Sequence, residues 1–173
     1  MSEFSESFHL RSDSQQDGAD LLRRAGLTGA VFSPVRGWVT VVPESELYEA
    51  VDQMVASNKG LLLYYLYAED HGWQFELYKS NSVICQYECG WESELVINDS
   101  NLNQAVLVSV LIDKSREQVL EDILHPSELN DVIMDPPAYR FANLIGLEHY
   151  EWLSGGYLDE ISERDSNVMM VST

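Results

Sequence analysis

The sequence predicts an α+β fold, with an antiparallel sheet and two helices over residues 1–91 and a mainly helical part over residues 92–173 packed on it. Three observations carry this. Residues 61–91, LLLYYLYAEDHGWQFELYKSNSVICQYECGW, hold three apolar or alternating runs separated by short polar turns, the pattern of consecutive antiparallel strands. Upstream, Leu47, Val51, Met54 and Val55 recur at the spacing of a single helix face. Downstream of Ser115, apolar residues recur at helical spacing between prolines and glycines that start and stop helices.

Taken in order, residues 1–7 are polar and acidic and predict a loose end, with a short strand at residues 8–11. Asp17 suits an N-cap for a helix burying Leu21, Leu22 and Ala25. Gly26 stands where a left-handed stop is needed. Residues 30–32 and 38–42 flank Ser33-Pro34-Val35-Arg36-Gly37, a turn with Pro early and Gly last, which predicts a hairpin. After Pro43 the periodic face from Leu47 to Val55 predicts a helix capped by Ser45 and closed by Gly60.

The first of the three strands is apolar or aromatic on both faces, so it is expected in the middle of the sheet and covered on two sides. The second alternates Trp73, Phe75 and Leu77 with Gln74 and Glu76. The third alternates Val83, Cys85, Tyr87, Cys89 and Trp91 with Ile84, Gln86 and Glu88. Residues 8–91 therefore give strand, helix, strand, strand, helix, strand, then an added hairpin. The first six follow the β-α-β-β-α-β order of the ferredoxin-like arrangement.

Beyond Glu92 the pattern changes. Residues 102–112 fit a strand by their β-branched alternation and a helix by the cap-forming cluster before them; helix is favoured by its helical sequel. Ser115 with Gln118 forms a capping box for a helix burying Val119, Leu120, Ile123 and Leu124, and Pro126 ends it. Asp135-Pro136 opens another, burying Phe141, Ala142 and Ile145 and ending at Gly146. Residues 150–153 predict one more helical turn, and residues 162–173 are expected to fray.

Charge bounds the function. Ten Lys and Arg stand against 29 Asp and Glu, for a net charge of −19. Residues 92–173 hold 16 of the acids and 4 of the bases. Such a field repels phosphate backbones and anionic headgroups, which argues against nucleic-acid and peripheral membrane binding and attracts basic partners. Residues 139–158 have the small-residue placement of a helix-turn-helix, but Glu148 and Glu151 would meet phosphates with the wrong sign. The opening MSEFSESF lacks the cationic start and apolar run of a secretory signal, so a cytoplasmic location is expected.

Chemistry-bearing clusters are few. Glu69, Asp70 and His71 offer two carboxylates and an imidazole, yet adjacent residues in a tight turn diverge. The simpler reading is a polar hairpin turn that uses Gly72. Cys85 and Cys89, four apart in a strand, lie roughly 13 Å apart and cannot form a disulfide. With no second ligand pair, they read as buried thiols rather than zinc ligands. No phosphate loop or nucleophile elbow is present, and no catalytic residue, metal or cofactor is expected. Nine Tyr and four Trp supply aromatic surface suited to interfaces, with Tyr150, Trp152 and Tyr157 as interaction candidates.

These features favour a non-enzymatic acidic binding or regulatory protein that engages a basic protein partner, as an inhibitor or immunity-type factor does. The alternative is a small-molecule or cation-binding domain, or an enzyme, with its site at Glu69-Asp70-His71. Self-association into a homodimer through residues 139–158 is a third expectation.

Overall fold

A computed structural model describes residues 1–173 and puts the N-terminal stretch, rather than a loose end, inside the sheet. The strands are β1 (Phe4–Arg11), β2 (Gly29–Val31), β3 (Trp38–Pro43), β4 (Leu61–Ala68), β5 (Gly72–Lys79), β6 (Ser82–Gly90), β7 (Val96–Asn98) and β8 (Met169–Val171). They form one sheet in the order β7-β6-β5-β4-β1-β3-β2-β8, antiparallel throughout. The helices are α1 (Gln15–Ala25), α2 (Val51–Ser57), α3 (Gln104–Val110), α4 (Glu117–Leu124), α5 (Leu129–Met134), α6 (Pro137–Ile145) and α7 (Leu158–Arg164). No helix is long and apolar enough to cross a membrane.

The first six elements take the expected β-α-β-β-α-β order. Strands β1 and β2, joined by α1, run parallel to each other and flank β3, while β4 lies on the far side of β1. The β5–β6 hairpin continues the sheet from β4. Helices α1 and α2 cover one face, packing Ala19, Leu21, Leu22 and Met54 on Phe8, Leu10, Val39, Val41 and Leu62. The helices after β7 cover the other, where Leu107, Leu120, Phe141 and Ile145 meet Leu63, Tyr65, Trp73, Phe75 and Tyr87. The Phe75 and Phe141 rings stack at 4.3 Å, and the Trp38 indole N–H donates to the Ile145 carbonyl at 2.9 Å. A smaller cluster of Ala30, Phe32, Val42, Leu153, Leu158 and Ile161 seats α7.

Several expectations need correcting, each for a local reason. Residues 1–7 are not loose: the buried polar side chains of β1 all find hydrogen-bond partners, which removes the penalty that polarity implied. The first helix begins before Asp17, at Gln15, although Gly26 ends it at φ 70° as expected. The helix after Pro43 starts only at Val51. Tyr48 takes a left-handed φ of 65°, its N–H goes to Glu6, and Leu47 is left exposed. Ser45 caps nothing, and Asn58 rather than Gly60 ends α2, its side chain bonding Gly60 and Ser80.

In β6 the register slips between Leu77 and Tyr78, so Leu77 opposes Cys85 but Tyr78 opposes Val83. This bulge turns Val83 out to solvent while Cys85, Tyr87, Cys89 and Trp91 stay buried. Residues 104–110 are helical, capped by the Asn103 side chain accepting from Val106 N–H at 3.2 Å. Their buried residues are Leu107 and Val110.

Ser115 is not an N-cap. It sits in a 3-10 turn whose Asp113 carboxylate accepts both the Ser115 N–H and hydroxyl. Helix α6 starts one residue later than expected, with Pro137 in its first turn, and α5 with its capping box at Glu128 and Asp131 was not foreseen. Residues 150–153 are not a helical turn, because Trp152 has φ 52° and its N–H bonds Glu3. The C-terminal stretch does not fray: β8 pairs with β2 and buries Val171.

Candidate functional site

Alternation along β5 and β6 decides what the sheet offers to solvent. One side of the hairpin is the aromatic core. The other carries Gln74 and Glu76 on β5, and Gln86 and Glu88 on β6. In register, Gln74 opposes Glu88 and Glu76 opposes Gln86, so each acid faces an amide and no two carboxylates meet directly. Asn98 of β7 opposes Glu88 from the other side.

Two adjoining hollows form over this face. The larger, about 490 Å3, is bounded by Phe4, Leu66 and Ala68, by Tyr48 from the turn before α2, and by Glu88, Glu92 and Glu94. The smaller, about 90 Å3, lies among Gln74, Glu76, Gln86, Glu88, Asn98 and Asn101. Neither is lined by a Lys or Arg. Glu88 is exposed and enters no ion pair or side-chain hydrogen bond. The sheet face is therefore a concave, uncompensated acidic surface.

The turn that holds the ligand-binding candidates brings only one of them to a hollow. Glu69 is tied to the start of β1, its carboxylate accepting the Glu3 N–H at 2.7 Å while its own N–H donates to the Glu3 carbonyl at 3.0 Å. Its carbonyl also accepts the Trp91 indole N–H. Asp70 is exposed. Of the three, only His71 borders the larger hollow, with Nδ1 2.6 Å from Glu92 Oε1. Gly72 completes the turn because a Cβ there would lie 2.3 Å from the Cys89 carbonyl oxygen. No group of three or more His, Cys, Asp or Glu is placed to hold a metal ion.

The interaction candidates separate in the same way. Tyr150 is buried, its ring edge-on to Tyr65 and Tyr139 and its hydroxyl donating to Asn143. Trp152 and Tyr157 are exposed by 41% and 48%. With Met1, Ser2 and Phe4 they line a cavity of about 210 Å3. Cys85 and Cys89 are free, buried thiols, and burial pushes both up from the ordinary thiol range.

Sequence reasoning missed the buried polar side of β1. Glu3 is 3% exposed, forms no ion pair and accepts hydrogen bonds from the Ser5 hydroxyl, the Trp152 N–H and the Tyr139 hydroxyl. Ser5 in turn accepts from Leu153 N–H. Further along, His9 is enclosed between the hydroxyls of Ser7, 2.8 Å from Nε2, and Thr40, 3.0 Å from Nδ1. Burial, with His149 nearby, pulls the His9 imidazole down to about 3, so it is neutral. On the opposite face Glu6 accepts from the Tyr64 hydroxyl at 2.7 Å and the Tyr48 N–H at 2.8 Å. The signal was the polar series Glu3, Ser5, Ser7 and His9 alternating with Phe4, Phe8 and Leu10, interrupted only by Glu6.

The Ser7–His9 pair resembles a nucleophile beside its base, but both residues are fully buried and border neither hollow, so a substrate has no approach. It ties β1 to β3. Comparison with protein-family models, with curated proteins and with solved structures returned no match.

Proposed function

We propose that the protein is a binding or regulatory factor whose acidic sheet face engages a basic segment of another protein. The observation that carries this reading is the exposed, unpaired Glu88 in a hollow bordered by Glu92 and Glu94 and free of lysine and arginine. A surface that leaves carboxylates uncompensated gains most when a cationic partner supplies the missing charge, and the net charge of −19 speeds the encounter. A concave face with mixed acid and amide groups suits an inhibitor- or immunity-type role, since it offers hydrogen-bond acceptors beside charge. The small-molecule alternative centred on Glu69-Asp70-His71 gains little support, as only His71 borders a cavity.

The test is capture from the native cell at low ionic strength, using the wild-type chain and a Glu76→Lys/Glu88→Lys double variant as paired baits. A partner retained by the wild type, released by salt and lost with the double variant supports the proposal. A partner retained equally by both baits at high salt removes it.

A further inference from the structure

Tyr48 is the one residue bordering the larger hollow whose backbone is held in an unfavourable conformation. Its φ of 65° lies in the left-handed region that side-chain-bearing residues avoid at a cost of roughly 1 kcal/mol or more. The conformation is enforced from inside the sheet: Glu6, buried on β1, accepts the Tyr48 N–H at 2.8 Å and the Tyr64 hydroxyl at 2.7 Å. The outcome is an aromatic side chain 54% exposed, stacked on no other ring and facing no protein cation. A large ring is being presented rather than packed.

What it is presented to follows from its neighbours. Tyr48 and Glu88 border the same hollow, which has Phe4, Leu66 and Ala68 as its apolar surface. Burial, then the charges of Glu6 and Glu88, raise the Tyr48 phenol above its ordinary value. An exposed ring that shares a hollow with an unpaired carboxylate and apolar residues matches the three needs of an arginine side chain. These are a π surface for the flat guanidinium, an acceptor for its N–H fork and cover for its methylenes. Lysine, a compact hydrated charge, is held chiefly by the carboxylate, because it gains less from a ring and cannot fork to an acceptor.

We propose that this hollow is an arginine-binding site, in which a guanidinium from the partner stacks on Tyr48 and donates to Glu88, with Glu6 as the positioning residue that aims Tyr48. The proposal rests on the basic-partner reading and names the chemistry that reading leaves open.

The experiment compares oligo-arginine and oligo-lysine peptides of equal length, titrated calorimetrically into the full chain at low ionic strength. The arginine peptide is expected to bind about tenfold more tightly. Tyr48→Ala abolishes that preference while leaving lysine-peptide binding unchanged, and Tyr48→Phe retains it because the ring persists. Glu88→Gln weakens both peptides, arginine more, and Glu6→Gln reduces the arginine preference without altering Glu88. Glu163→Gln, an exposed acid on α7, serves as the control and changes neither ratio. Thermal melts establish that each variant is folded. Equal affinity for the two peptides, or an arginine preference that survives Tyr48→Ala, overturns the arginine site while leaving the basic-partner reading standing. Failure of both peptides to bind overturns both.

Discussion

Glu3 and Trp152 lie 149 residues apart in the chain and are joined by a 2.8 Å hydrogen bond from the Trp152 N–H to Glu3 Oε1. The bond holds Trp152 at φ 52° and fastens the segment before α7 to the start of β1. Glu3 is the shared acceptor for three donors from three parts of the chain, at Ser5, Tyr139 and Trp152. Replacing it by Ala strands those donors in a buried setting. The expected loss is about 3 kcal/mol, since each orphaned group costs about 1–3 kcal/mol and some reach water. Glu3→Gln keeps one acceptor oxygen and loses less. Urea unfolding of the two variants checks the order; an Ala variant within about 0.5 kcal/mol of wild type would show the network to be dispensable.

Acid should unfold the protein partly through His9. Its folded pKa of about 3 lies below the 6.5 of the unfolded chain, so between these values the unfolded state binds the extra proton. The stability that neutral His9 contributes is intact above pH 6.5, falls as pH drops below it and is gone by about pH 3. His149, whose burial also lowers its pKa, adds a loss of the same sign. For His9 the total is on the order of 5 kcal/mol. Denaturant titrations from pH 7 to pH 4 should show falling stability, and His9→Gln should flatten that slope. An unchanged slope in the variant would assign the acid response to other groups.

Why some of this was legible and some not comes down to which interactions are local. The alternation of β4, of β5 and of β6 from Cys85 onward, the glycine stop at Gly26, and the burial of Leu120, Ile123 and Leu124 on α4 and of Phe141, Ala142 and Ile145 on α6 are set by neighbours in sequence, and each appeared where the pattern placed it. The role of β1 is not local. Glu3 and Ser5 read as a solvated end because their partners, Trp152, Tyr139 and Leu153, come from distant segments. The same applies at Tyr48, where a hydrogen bond from β1 overrides helical periodicity that continues upstream to Leu47. At the turn after β4, Glu69 alone of the chemically suggestive triplet holds the chain's beginning, while Asp70 is exposed and His71 meets Glu92.

The two thiols should be inert in the native protein. Cys85 and Cys89 are buried at 1% and 0% exposure, and burial raises both pKa values, so the sulfurs are inaccessible and held toward the unreactive thiol form. A disulfide reagent such as Ellman's is expected to react with neither in buffer and with two per chain in guanidinium. Prompt reaction of one thiol in buffer would mean that β6 opens locally, with the bulge beside Val83 as the place to look.

The last strand offers the most direct check on the architecture. Strand β8 is three residues long, yet it pairs Met169 with Val31 and Val171 with Gly29, buries Val171 at 1% exposure and forms the edge beyond β2. Gln15 of α1 also donates to the Asn167 carbonyl at 2.8 Å, so the segment closes against the first helix as well. Removing residues 167–173 uncovers β2, itself only three residues long, and deletes Val171 from the α1–α2 core. The expected loss is about 2–4 kcal/mol, with concentration-dependent association because an unpaired edge recruits other strands. Val171→Ala should cost less and leave the protein monodisperse by light scattering relative to the truncation. A truncated chain that melts with the full-length one and does not associate would show that β2 needs no cover, and that the sheet effectively ends there.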